Sequence, residues 1–144
     1  MPRCRRLWLS GLDFPVAARK GVAFSRGLIV SLDASGCGIG DVRAALLASS
    51  PVLATAKVLN LRNNKFGTAA ARAIAASQHL RNLSRLDLSG NRIGTAGAMA
   101  LAASQNLERL SHLDLSGNRI GPSGLRALRD AFGGRVYLIG QAAR

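Results

Sequence analysis

The side chains in this sequence that could do chemistry recur at one spacing. Asp33, Asn60, Asp87 and Asp114 lie 27 residues apart, as do Lys65, Arg92 and Arg119, and as do Cys37, Asn64, Asn91 and Asn118. A row of carboxylates suits a basic or mixed-charge peptide, a row of cations can hold phosphates, and a row of amides can pair backbone groups. Groups for nucleophilic or metal chemistry are scarce. His79 and His112 are the only histidines, and they fall at different points of the period, so they do not converge. His112 beside Asp87 or Asp114 makes at most a dyad, with no nucleophile or oxyanion element at hand. Two Cys and two His without ligand spacing give no zinc site. Gly36, Gly38 and Gly40 lack the Lys-Ser/Thr that a phosphate loop needs. The expectation is a chain without catalysis, cofactor or metal.

The spacing belongs to a repeat. Arg85-Leu86-Asp87-Leu88-Ser89-Gly90-Asn91-Arg92-Ile93-Gly94 returns almost unchanged as His112-Leu113-Asp114-Leu115-Ser116-Gly117-Asn118-Arg119-Ile120-Gly121. Leu32 and Leu59 extend the series backwards at the same interval. The shared skeleton is L-x-L-x-x-[N/C]-x-[I/F]-G. In L-x-L both leucines share one face of a short strand and point inward. The Asn at the following turn can pair backbone groups of neighbouring copies, a buried ladder of Asn64, Asn91 and Asn118, with Cys37 contributing a thiol donor instead of an amide. An unpaired buried backbone group costs about 1–3 kcal/mol, so the ladder matters. The rest of each unit reads as helix. Thr68, Thr95 and Asp41 stand where an N-cap is expected, and Pro122 suits a helix start because its missing N–H would be unpaired there. Leu47, Ile74, Leu101 and Leu128 keep the period and should face the strands.

The fold expected is therefore α/β, a solenoid of parallel strands and helices. Strands sit ~4.8 Å apart and packed helices ~8–10 Å, so the helix side splays and the strands line a concave face, with helices on the convex one. Residues 29–138 resemble the ribonuclease-inhibitor-type class of leucine-rich repeats, judged by Ile93-Gly94 to Gly97 and Ile120-Gly121 to Gly124. The tail from Leu125 to Val136 is similar to the ending of repeat proteins abundant in planctomycete bacteria. Those often carry a short repeat-companion domain at the N-terminus; none is visible here, so the resemblance implies a truncated member. It also implies protein–protein recognition by the concave face.

Four units fill residues 28–134. Residues 135–144 read as a capping strand and tail that cover an exposed edge, after Gly133-Gly134 ends the last helix. Residues 1–27 are open between two readings, a degenerate first repeat with Leu7 in the place of Leu86, or a basic leader. Arg3, Arg5 and Arg6 precede Leu7-Trp8-Leu9, but Ser10, Gly11 and Asp13 break the apolar run, against a signal peptide. No run reaches transmembrane length. Two cysteines are too few for a disulfide framework, and a reducing cytoplasm is the expected compartment.

Outward strand positions form columns. The central one runs Trp8, Asp33, Asn60, Asp87, Asp114, Tyr137, flanked by Arg85 and His112 on one side and Arg62 on the other. These are the candidate partner-binding residues, with Trp8 and Tyr137 as aromatic anchors. The bland alternative is that Asp at this place is solvated repeat consensus. A net charge of +13, from 20 basic and 7 acidic residues, supports a second function. In it, the Arg-rich N-terminus and the rim of Lys65, Arg92 and Arg119 bind nucleic acid or another polyanion. Recognition of an unidentified protein partner by a monomer, away from membranes, is the favoured reading.

Overall fold

The computed structural model describes residues 4–9, 12–17, 22–26 and 28–142, the first two segments by their backbone alone. The chain is α/β, with a mostly parallel sheet. β1 (Cys4–Leu9) and β2 (Leu12–Ala17) form an antiparallel pair of their own. A six-stranded sheet follows in sequence order. It contains β3 (Val22–Ser25), β4 (Leu28–Asp33), β5 (Val58–Asn60), β6 (Arg85–Asp87), β7 (His112–Asp114) and β8 (Val136–Tyr137). β3 lies antiparallel to β4, with a register irregularity between Ala23 and Phe24. Every later pairing is parallel.

Register follows the repeat. Leu32 pairs with Leu59, Leu59 with Leu86, Leu86 with Leu113, and Leu113 with Val136. All four leucines are buried. Between strands run α1 (Gly40–Ala48), α2 (Thr68–Ala76), α3 (Thr95–Ala102) and α4 (Pro122–Phe132), each packed on the next. Leu47, Ile74, Leu101 and Leu128 are buried in the same core as the strand leucines. Three-residue strands and helices of two to three turns cannot be stable alone; each is held by its neighbours.

Close helix packing explains two glycines. A Cβ on Gly97 would stand 2.9 Å from the Ala71 Cβ, and one on Gly124 would stand 2.7 Å from Ile120 Cγ2 and 3.2 Å from the Ala98 Cβ. The small residue lets consecutive helices meet across alanines.

The helix caps differ from expectation. Thr68 and Thr95 are the first helical residues, and the cap positions fall on Gly67, Gly94 and Gly121, while Ile39 precedes α1. The side chain serves the next unit instead of its own. Asp41 Oδ1 accepts from Gly67 N–H at 2.8 Å and Ala70 N–H at 3.3 Å. Thr95 Oγ1 accepts from Gly121 N–H at 2.9 Å. Helix ends are treated likewise: the Ser77 hydroxyl donates to the Ala48 carbonyl and the Ser104 hydroxyl to the Ala75 carbonyl. Orphan groups at both ends of the helices thus find partners one unit away.

Candidate functional site

Each of β5, β6 and β7 is a tripeptide with a buried leucine in the middle and two outward neighbours. Parallel register brings Asp33, Asn60, Asp87, Asp114 and Tyr137 into one column, and Ser31, Val58, Arg85 and His112 into the next. Trp8 does not join them. It lies in β1, which pairs with β2, and β3 rather than β1 is the neighbour of β4. The Trp8 side chain lies outside the described residues.

The acidic column has a local task. Asp33 Oδ1 accepts from Ser35 N–H at 2.9 Å, Asn60 Oδ1 from Arg62 N–H at 3.1 Å, and Asp114 Oδ1 from Ser116 N–H at 2.9 Å. Asp87 Oδ1 accepts from both the amide and the hydroxyl of Ser89, at 2.8 and 2.6 Å. These are Asx turns that end the strand and start the loop. Asp or Asn therefore serves the backbone at this position.

Beside this column the His112 and Tyr137 rings lie 4.4 Å apart, tilted by 34°. The histidine is thus engaged with an aromatic ring; among the described residues it makes no hydrogen bond to Asp87 or Asp114. A depression of about 260 Å³ opens next to it, lined by Val58, Asn60, Arg85, Asp87 and His112 and floored by Leu59 and Leu86. Arg85 at its side is exposed, as is Arg62 in the loop after β5, and Tyr137 is 44% exposed. His79 lies in a short 3-10 turn at Gln78–Leu80, in a different part of its unit. Among the described residues no cluster of His, Cys, Asp or Glu could hold a metal ion.

Behind the face runs an amide ladder. Asn64 Oδ1 accepts from Cys37 N–H and Ile39 N–H, at 3.0 and 3.2 Å. Asn91 Oδ1 accepts from Asn64 N–H and Phe66 N–H, at 2.9 and 3.0 Å, and Asn118 Oδ1 from Ile93 N–H at 3.0 Å. Their Nδ2 groups donate backwards, to the carbonyls of Ala34, Leu61 and Leu88 respectively. Cys37 differs from the expectation of a thiol donor. It is disulfide-bonded, so it has no S–H to give, and the ground for reading the cysteines as a sign of a reducing compartment falls away.

Gln141 completes the ladder, and the repeat spacing misses it. Its Oε1 accepts from Ile120 N–H at 3.1 Å and its Nε2 donates to the Leu115 carbonyl at 2.9 Å, the two roles Asn118 performs one unit earlier. Gly140 before it has φ 68°, the value at Gly117 before Asn118. Arg135, just before β8, turns its guanidinium to the carbonyls of Phe132, Ala131, Glu108 and Leu110.

Lys65, Arg92 and Arg119 are exposed, each directly after its ladder Asn. Lys65 takes φ 62° there.

Residues 79–102 and 105–128 each match a family model described as Leucine Rich repeat. Two leucine-rich repeats are present. The matched segments hold β6 with α3, and β7 with most of α4. No curated protein matches the chain. No helix among the described residues is long and apolar enough to cross a membrane.

Proposed function

We propose that the chain is a non-catalytic recognition module that binds a protein partner through its strand face. In this reading the leucine-rich repeats stack from residue 28 to 134 as a horseshoe-shaped solenoid of the ribonuclease-inhibitor type, with the strands concave. The binding residues are Asp33, Asn60, Arg62, Arg85, Asp87, His112, Asp114 and Tyr137. One observation carries it: the register aligns these positions, apart from Arg62 in the loop after β5, on one side of the sheet, while the core lies on the other. The His112–Tyr137 pair supplies an aromatic anchor beside a depression, the kind of feature that dominates binding energy. Charge alternates across the face between Arg85 or Arg62 and the aspartates, which favours a mixed-charge peptide surface and selects partners more than it sets affinity.

A photo-crosslinking residue tests this. Placed at Arg85, on the strand face, it should capture a partner that is missed from Arg72, on the exposed side of α2. Capture should fall in an Asp87→Ala/Tyr137→Ala variant that keeps its circular dichroism. Equal capture from both positions would refute the strand face as the binding surface.

A further inference from the structure

On the edge where helices return to strands, two consecutive units share a polar notch of about 350 Å³, lined by Arg81, Asn82, Gln105, Asn106, Glu108 and Arg109. Two hydrogen bonds tie the units in opposite directions. Arg81 Nε donates to Asn106 Oδ1, and Arg109 Nη1 donates to Asn82 Oδ1, both at 2.9 Å. The amides are themselves anchored, Asn82 Nδ2 to the Ala54 carbonyl at 2.8 Å and Asn106 Nδ2 to the Ala75 carbonyl at 3.2 Å. Each guanidinium is therefore oriented through one N–H, and its other donors have no partner among the described residues. Neither arginine has an ion pair among them, although Glu108 lines the same notch.

We propose that this notch is a binding site for a single phosphate-type oxyanion held between Arg81 and Arg109. The unspent donors of each arginine match an oxyanion in the planar, paired way that lysine cannot. A carboxylate has two oxygens, which one guanidinium fork can occupy alone. A phosphate monoester has three acceptor oxygens and can satisfy donors from both arginines. Much of the ordering that binding requires is already done, because the Asn partners hold both side chains in place. Glu108 sets the selectivity. Its charge in the notch disfavours a long polyanion and leaves room for one compact group. The site lies on the helix-to-strand edge, apart from the strand face and from the Lys65, Arg92 and Arg119 row.

The test titrates inorganic phosphate into the full chain at constant ionic strength, followed by the Arg Nε resonances and by calorimetry. Saturable binding with shifts at Arg81 and Arg109 is expected. Arg81→Gln and Arg109→Gln should each weaken it by about tenfold or more, the loss of a charge-assisted hydrogen bond. Glu108→Gln removes only the opposing charge, and should tighten binding about two- to threefold. Arg92→Gln, on the other edge, should change nothing. A phosphoserine peptide forms a separate arm: tighter binding than inorganic phosphate assigns the group to a protein, and equal binding to free phosphate, both supporting the site. Non-saturable binding, or equal loss in Arg92→Gln and Arg109→Gln, would overturn it and leave only diffuse attraction to a +13 chain.

Discussion

The buried amides are where single residues decide most. Asn91 is 5% exposed and satisfies two N–H groups of the preceding unit while donating to the Leu61, Leu88 and Ser89 carbonyls. Asn91→Ala strands those groups together, and at about 1–3 kcal/mol for each unpaired buried donor the variant should lose on the order of 2–4 kcal/mol. Arg92→Ala, one residue on and exposed, should stay within about 0.5 kcal/mol. Urea unfolding of the two variants measures the contrast, and equal midpoints would show that the amide is dispensable. Gly124→Ala should also destabilise, by about 1–3 kcal/mol, since the new methyl meets Ile120 at 2.7 Å. Helix propensity alone predicts a gain of about 1 kcal/mol there, so the sign of the measured change separates packing from propensity. The Asn positions are legible in sequence because residue type and interval coincide. Gln141 is not: it differs in type, and it lies 23 residues after Asn118 rather than 27. The aspartates are half legible. Their column follows from strand alternation, but the Asx turns that explain them depend on loop geometry that the letters do not show.

Whole elements follow from periodicity, since leucines at fixed intervals can be buried in only one strand register and one helix face. What periodicity misses is cooperation between elements. Thr95 looks like a cap for the helix it begins, and its hydroxyl instead serves Gly121 N–H at the start of α4. Local pattern cannot separate these roles, because both place Thr at the same point of the unit. Thr95→Ala should therefore weaken α4 rather than α3, costing about 0.5–2 kcal/mol. Hydrogen exchange locates the effect: faster exchange confined to the first turn of α3 would refute capping across units. The N-terminal strands show a second limit. Arg6-Leu7-Trp8-Leu9-Ser10-Gly11 copies the letters of a repeat strand, yet β1 pairs antiparallel with β2. An L-x-L pattern suits any half-buried strand. Only two residues separate the two strands in sequence, too few for the crossover that a parallel pairing needs.

At the scale of the molecule, charge works against the packing. The sequence holds 20 basic and 7 acidic residues, and three of the acids serve backbone turns on the strand face while a fourth, Asp41, caps a helix. None of the arginines or lysines between residues 26 and 135 gains an ion pair in return among the described residues. Lys65, Arg92 and Arg119 stand one unit apart on one edge, and Arg81 and Arg109 lie together on the other. Such rows repel one another in the folded state and relax in the unfolded chain. Sodium chloride should therefore stabilise the protein. Between ~10 and ~150 mM the Debye length falls from ~30 to ~8 Å, below the spacing of charges two units apart. Thermal unfolding should shift upward over that range and flatten beyond it. A downward shift would mean that favourable ion pairs outweigh the repulsion, and that the basic rows are paired in solution. The choice of salt matters to the reading. Chloride reports screening, whereas phosphate at the same ionic strength should add a further, saturable increase if the notch between Arg81 and Arg109 is occupied, because a ligand that binds only the folded chain stabilises it by mass action. Complete loss of that increment in Arg109→Gln, with the chloride response only slightly reduced by the one charge removed, separates the local site from the global field.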